Sequence, residues 1–219
     1  MIFAKIDFIN LLPFHVYIKK NIRSTQINSI IRYKKSYPAD INRKYKKRKV
    51  DAAFISSIAS RREKRLDLGI VAKKDVQSVI LIPGKKKDDY QSETSNALAK
   101  ILKLEGEVLI GDKALKYFHE NPNSHFIDLA QAWKDKYNLP FVFATLCFCR
   151  NGKVLKNIIK GFNKKHTKIP QYILNSYSKR SGVSKKHILE YLEKIDYEIN
   201  IREKRALKKF LSLAKKEGL

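Results

Sequence analysis

A chain of 219 residues with 43% hydrophobic content can bury a sizeable core, as one large domain or as two smaller lobes. Its 47 Lys and Arg against 21 Asp and Glu give a formal net charge of +26, a field that attracts anions and makes nucleic acid the first ligand to test. The basic residues are dispersed over Lys34-Lys35, 43–49, 61–65, Lys85-Lys86-Lys87, Lys164-Lys165, Lys185-Lys186 and 208–216, with no helix-turn-helix, ribonucleoprotein aromatic motif or zinc-finger spacing, which argues against nucleic acid as the primary ligand.

In chain order, Ile2–Ile9 alternates like a strand and is broken by Asn10 and Pro13. A helix is expected over Leu11–Asn21, entered through Pro13, whose fixed φ suits a first turn. No apolar run of membrane-crossing length forms here, so neither a signal peptide nor a membrane span is expected, and the expected location is cytoplasmic. Ile27–Tyr33 reads as a second strand and Pro38–Arg48 as a short basic helix. Ala52–Ile55 is a buried strand by its small and β-branched residues, and Ser56-Ser57 is expected to open another helix. Val76–Pro83 carries Ser78 into an apolar strand, the candidate first crossing between two halves.

Ser92–Leu104 reads as a helix capped by Ser92, Val108–Ile110 as a strand, and Lys113–Phe118 as the start of a helix stopped at Asn121-Pro122-Asn123-Ser124. Ile127–Tyr137 is expected to be helical with Trp133 in the core, followed by the long apolar strand Phe141–Cys149 as the return crossing. The remainder shows helical periods over Val154–Asn163, Ile169–Ser178, Lys185–Ile195 and Ile201–Lys216. The alternation argues for an α/β protein with mainly parallel sheets. The Leu207, Phe210, Leu211 and Ala214 face of the last helix is read as packing either within the monomer or against a second subunit, which would make a homodimer.

Several chemistries drop out. His15, His119, His125, His166 and His187 show no metal-ligand spacing, and Cys147 with Cys149 would need two further ligands, so no metal is expected. The cysteines share one face of a strand, too close in sequence for an ordinary structural disulfide, which fits a reducing compartment. There is no Gly-rich phosphate loop and no nucleophile elbow, which removes kinases, nucleotide-binding dehydrogenases and α/β-hydrolases. Polar groups at strand ends remain. Ser56 and Ser57, and Thr94 and Ser95 in the first turn of a helix, combine hydroxyls with backbone N–H groups and so suit anions, although capping alone would explain some of them. Ser78 divides evenly between a hinge role and a hydrogen bond to a ligand, Asp112 reads as a turn, and Asn10 alone reads first as a cap.

Three ordered segments change that balance: Phe8-Ile9-Asn10-Leu11-Leu12-Pro13-Phe14, Val50-Asp51-Ala52-Ala53-Phe54-Ile55-Ser56-Ser57, and Asp128-Leu129 through Trp133 to Leu139-Pro140-Phe141-Val142-Phe143-Ala144. With Ser78-Val79 and Ile110-Gly111-Asp112-Lys113-Ala114-Leu115 between them, the chain resembles the chorismate dehydratases of the futalosine route to menaquinone, over most of its length up to about Arg150. The resemblance implies a two-lobed periplasmic-binding-protein-like type II fold with a ligand cleft between lobes, residues 1–82 and 146–219 forming one lobe and 83–145 the other. It implies chorismate as substrate, no cofactor, Asn10 and Ser78 as catalytic residues, and Ser56, Ser57, Thr94, Ser95 and Thr145 as substrate-binding residues. Glu93 departs from the family pattern by placing an acid in the serine- and threonine-rich segment.

Loss of the C4 hydroxyl and the C3 proton makes the product aromatic, so the reaction needs only modest acid–base help. An amide is no base near neutrality, so Asn10 is read as holding the substrate while its own enolpyruvyl carboxylate takes the proton and Ser78 or a water assists departure of hydroxide. Two alternatives are the sister enzyme that makes 1,4-dihydroxy-6-naphthoate, expected to carry a cleft histidine that Leu139–Arg150 lacks, and a non-catalytic binding protein on the same fold.

Overall fold

The structure is a computed structural model that describes residues 1–21 and 32–219. Its larger sheet has six strands in the order β2-β1-β3-β8-β4-β9, where β1 is Ile2–Ile6, β2 Arg32–Ser36, β3 Ala52–Ser56, β4 Arg65–Ala72, β8 Phe141–Phe148 and β9 Ile195–Glu198. The smaller sheet, β6-β5-β7, is built from β5 Val79–Pro83, β6 Gly106–Ile110 and the two-residue β7 Ile127–Asp128. Strand β3 is buried at all five positions, as its run of small and β-branched residues requires of a strand covered on both faces. The expected strand over 27–33 lies mainly outside the described residues.

Helices follow their caps. Around the smaller sheet lie α3 (Glu93–Leu102), α4 (Gly111–Glu120) and α5 (Leu129–Tyr137); around the larger lie α1 (Leu12–Asn21), α2 (Pro38–Lys46), α6 (Gly152–Ile159), α7 (Gln171–Ser181), α8 (Lys185–Lys194) and α9 (Ile201–Lys216). Ser92 caps α3 through the Ser95 N–H, Asp128 caps α5 through the N–H groups of Ala130 and Gln131, and Asn200 with Glu203 forms a capping box on α9.

The core joins the two sheets. Phe14 meets Phe54 edge-on at 5.0 Å between ring centroids, and the fully buried Trp133 packs on Phe141 at 5.3 Å, which in turn meets Phe210 of α9 at 5.0 Å. Leu207, Phe210 and Ala214 are thereby buried within the chain, so the apolar face of α9 is covered by its own monomer. No helix among the described residues is long and apolar enough to cross a membrane.

Two segments connect the sheets, 73–78 outward and 138–140 back. The outward one is held by Asp128, whose Oδ2 accepts from the N–H of Val76 at 2.9 Å and of Gln77 at 2.6 Å. Strand β5 belongs wholly to the smaller sheet and β8 wholly to the larger, whereas the expected lobe boundaries after residues 82 and 145 cut through both strands.

Three other expectations differ from the structure. Among the described strand pairs only β1–β2 and β1–β3 are parallel; β8 returns between β3 and β4 and runs antiparallel to each, and both pairings of the smaller sheet are antiparallel. Alternation of elements cannot reveal this, because a strand returning from another lobe enters the sheet from the opposite end. The segment after Ser56 is a tight turn, closed by the Ser60 N–H on the Ser56 carbonyl at 3.0 Å, because the charged run 61–65 has no apolar face to bury and β4 begins at Arg65. Ile195, expected to end the helix that starts at Lys185, instead opens the edge strand β9, Ile195–Glu198.

Candidate active site

The cleft between the sheets has a cavity volume of about 70 Å³ and is lined on its apolar side by Ile6, Phe8, Phe54, Ile70, Val76 and Phe143. Four expected site residues meet on its walls: Asn10, Ser56, Ser78 and Ser95. The residues come from separate elements. Asn10 sits in a single 3-10 turn, Ile9–Leu11, between β1 and α1; Ser56 ends β3; Ser78 precedes β5; and Ser95 is in the first turn of α3. The N-termini of α3 and α4 therefore border one space, and their N–H dipoles favour an anionic ligand there.

Each side chain is held. Ser56 Oγ accepts from Asn42 Nδ2 at 2.7 Å while its N–H donates to Asn42 Oδ1 at 3.2 Å. Ser95 Oγ accepts from Ser92 Oγ at 2.8 Å, and Ser92 also lines the cleft. The Asn10 carbonyl accepts from Tyr197 Oη at 2.5 Å, yet its side-chain Oδ1 is buried with no hydrogen-bond partner among the described residues. Such an acceptor costs free energy until a donor reaches it.

Three expected residues, Ser57, Thr94 and Thr145, lie outside the cleft lining. Ser57 turns away to donate to the Val142 carbonyl at 2.5 Å, tying β3 to β8. Thr94 Oγ1 accepts from the Ile58 N–H at 3.1 Å and so fixes the turn after β3. Thr145 is buried beside Cys147 Sγ, 3.3 Å away, and borders a different groove with Arg65, Asp67 and Leu207. Ser57 and Thr94 are held by partners on a neighbouring element, and Thr145 by a residue of its own strand.

Residues beyond Arg150 complete the site. Tyr191 of α8 is buried with its Oη 2.8 Å from Ser78 Oγ. Burial raises the pKa values of Tyr191 and Tyr197 above the ordinary tyrosine range, so both stay protonated. At the mouth, Arg180 of α7 reaches Asp7 Oδ2 at 2.8 Å and Asp112 Oδ2 at 3.0 Å, while Asp112 Oδ1 accepts the Ile9 N–H at 3.0 Å. Arg180 thus pins the larger sheet's β1 end to α4 of the smaller lobe. Burial raises Asp112's pKa against the opposing pull of the Ile9 N–H and Arg180. For Asp7, burial is outweighed by hydrogen bonds from Tyr177 and Lys5 and by the charges of Lys5 and Arg180, which hold its carboxyl well below the usual range. Gly111, beside Asp112, has φ +63 and would place a Cβ 3.1 Å from the Phe8 ring, so a side chain there would crowd the cleft wall.

Nothing in the helical pattern of 185–195 singles out Tyr191 from an ordinary core tyrosine, and Tyr197 lies in a strand too short to announce itself. The one available signal was their polar hydroxyl on an otherwise apolar face.

Comparison with known proteins finds relatives by sequence and by fold. The sequence profile of a family described as menaquinone biosynthesis matches residues 92–216. The chain is 45% identical to the chorismate dehydratase of Campylobacter jejuni over 219 residues, covering 98% of each. Among solved structures, the alkanesulfonate-binding protein SsuA from Xanthomonas axonopodis pv. citri, bound to MOPS, superposes with TM-score 0.67 at 9% identity over 100% of this chain and 93% of that one. A Candida albicans protein with the generic periplasmic binding protein fold gives TM-score 0.54 at 12% identity over 98% and 90% of the respective chains. These last two likenesses concern the fold.

Proposed function

The chain belongs to the menaquinone biosynthesis family together with chorismate dehydratase, and from that premise we propose that it is a hydro-lyase that converts chorismate to 3-[(1-carboxyvinyl)oxy]benzoate and water as the first step of the futalosine route. The observation that carries this reading is the buried, unpartnered Oδ1 of Asn10 in one cleft with the Ser78 hydroxyl. A substrate hydroxyl can donate to the first and accept from the second.

In this mechanism the C3–H bond breaks as the substrate's enolpyruvyl carboxylate takes the proton. The electron pair forms the ring C3–C4 double bond while the C4–O bond breaks, and the departing hydroxide is protonated to water. Negative charge delocalised onto the ring carboxylate is stabilised by the N-termini of α3 and α4 and the Ser95 hydroxyl. Asn10 orients the C4 hydroxyl and Ser78 donates to it as it leaves. Ser56 borders the same space and suits a substrate oxygen, whereas Ser57, Thr94 and Thr145 support the walls. The apolar floor excludes water, and the net positive charge steers a dianion inward.

The lobes in this reading are 1–72 with 141–219, and 73–140, hinged at the two connecting segments. No histidine is among the cleft-lining residues, which disfavours the dihydroxynaphthoate-forming sister enzyme. The test is to incubate purified protein with chorismate, without added cofactor, and to follow products by chromatography and mass spectrometry. Enzyme-dependent 3-[(1-carboxyvinyl)oxy]benzoate is the expected result; intact chorismate overturns the reading.

A further inference from the structure

The turn that carries Asn10 cannot cap itself. It is a single 3-10 turn, Ile9–Leu11, preceded by Phe8, whose side chain has no acceptor for the first N–H. That N–H, on Ile9, is accepted instead by Asp112 Oδ1 at 3.0 Å, from a residue 103 positions away in the chain. Asp112 stands in the first turn of α4, which packs with the smaller sheet, whereas the Asn10 turn follows β1 of the larger. The cap therefore comes from the opposite lobe.

The carboxylate is held so that this oxygen meets Ile9. Arg180 takes the other oxygen, Oδ2, at 3.0 Å through Nη2, and the same guanidinium reaches Asp7 Oδ2 at 2.8 Å and the Asp7 carbonyl at 2.7 Å. Gly111 makes the close approach possible, since a Cβ there would lie 3.1 Å from the Phe8 ring. Its N–H donates to the Ser78 carbonyl at 2.7 Å. The dipeptide Gly111-Asp112 thus holds the main chain of Ser78 and the main chain next to Asn10, the two residues assigned to the chemistry.

We propose that Asp112 is a positioning residue, a cap supplied by the smaller lobe that sets the Asn10 turn in place only while the two lobes are together. Parting the lobes about their connecting segments breaks the Ile9–Asp112 bond and leaves the first N–H of the turn without its protein acceptor. A turn one residue on either side of Asn10 is then free to rotate the amide out of register. Tyr197 acts from within the larger lobe, on the Asn10 carbonyl, and stays attached in either state. Closure over a ligand consequently completes the site as well as sealing it, which is the logic of induced fit.

The inference rests on the dehydratase reading, so wild-type turnover of chorismate is measured first; its absence overturns both. With an active wild type, Asp112→Ala and Asp112→Asn are compared alone and in an Asn10→Ala background. Asp112→Ala is expected to lower kcat/KM by about tenfold to a hundredfold. Asp112→Asn keeps an oxygen for the Ile9 N–H and should stay within about threefold of wild type, although it gives up the charge facing Arg180. In the Asn10→Ala background Asp112→Ala should cost less than about twofold further. Unchanged activity in Asp112→Ala, an equal loss with and without Asn10, or an Asn variant as damaged as the Ala variant overturns the inference while leaving the dehydratase reading intact. If Asp112→Ala does not fold, hydrogen exchange at the Ile9 amide of the wild type is followed with and without saturating 3-[(1-carboxyvinyl)oxy]benzoate. Exchange slowed by about tenfold or more in the presence of that product is expected, and the same rate in both conditions is the contrary result.

Discussion

Ser56 and Ser57 are adjacent, both buried and chemically identical, yet the first lines the cleft and the second is spent on the sheet. The same division recurs on α3, where Ser95 faces the cleft and Thr94 holds the turn after β3. Comparing the cleft-facing groups with those behind the wall teaches that a hydroxyl's role depends on which partner reaches it first. Ser57 meets a main-chain carbonyl of β8 and Thr94 a main-chain N–H. Asn10 Oδ1 meets no partner among the described residues, and Asn10 lines the cleft.

The sharpest way to break this comparison is Asn10→Ala. Because the unpaired Oδ1 contributes nothing to internal bonding, its loss should leave the melting temperature nearly unchanged while reducing kcat/KM for chorismate by roughly a hundredfold or more, the scale of losing an oriented group in a preorganised site. Steady-state product formation and a thermal melt read both quantities. Turnover within about threefold of wild type would erase the distinction between the two sets of groups.

The groups readable in the sequence are those carried by strand ends. Asn10, Ser56 and Ser78 each follow or precede an apolar run whose period fixes where the strand stops, and strand ends of α/β sheets converge on a cleft. The elements themselves were legible for the same reason, from β1 and β3 to α3 and α9. What could not be read is pairing across distance. Thr145 looks inward by position, but its direction depends on the register of β8 against β3 and β4, set by a chain that has visited another lobe and returned. Tyr191 lies 113 residues from Ser78 and Tyr197 187 from Asn10, and no local pattern records which buried tyrosine meets which of them. Arg180 between Asp7 and Asp112 is a further long-range assembly of residues that are individually ordinary surface charges.

A smaller effect, of the opposite kind, is expected behind the wall. Ser57→Ala removes the donor to the Val142 carbonyl and leaves that oxygen buried between β3 and β8, which should cost about 1–3 kcal/mol of stability. Per folded molecule, kcat/KM should stay within about twofold of wild type, since the hydroxyl does not line the cleft. Denaturant unfolding with active-site-normalised kinetics separates the two. Ser56→Ala gives the matching contrast: a raised KM is its expected signature, because it removes a group that borders the ligand. Equal kinetic damage from both alanines would mean that the wall and the cleft cannot be divided between neighbouring residues.

The least effect is expected at Thr145→Val. Its hydroxyl makes a weak 3.3 Å contact with Cys147 Sγ and faces the groove on the other side of the sheet from the substrate. Valine keeps the branched shape that β8 packs, so stability should change by less than about 1 kcal/mol and kcat/KM should be unchanged. The cysteine provides an independent readout. Burial pushes the Cys147 thiol up to about 12, so at pH 8 only about one molecule in ten thousand carries the reactive thiolate, and iodoacetamide should label Cys147 far more slowly in the native protein than after denaturation. If Thr145 instead bordered the substrate, its valine variant would lose turnover, and chorismate would alter the labelling rate of the neighbouring thiol. Either result would move β8 from the supporting side of the comparison to the ligand side, and with it the assignment of which face of the larger sheet looks into the cleft.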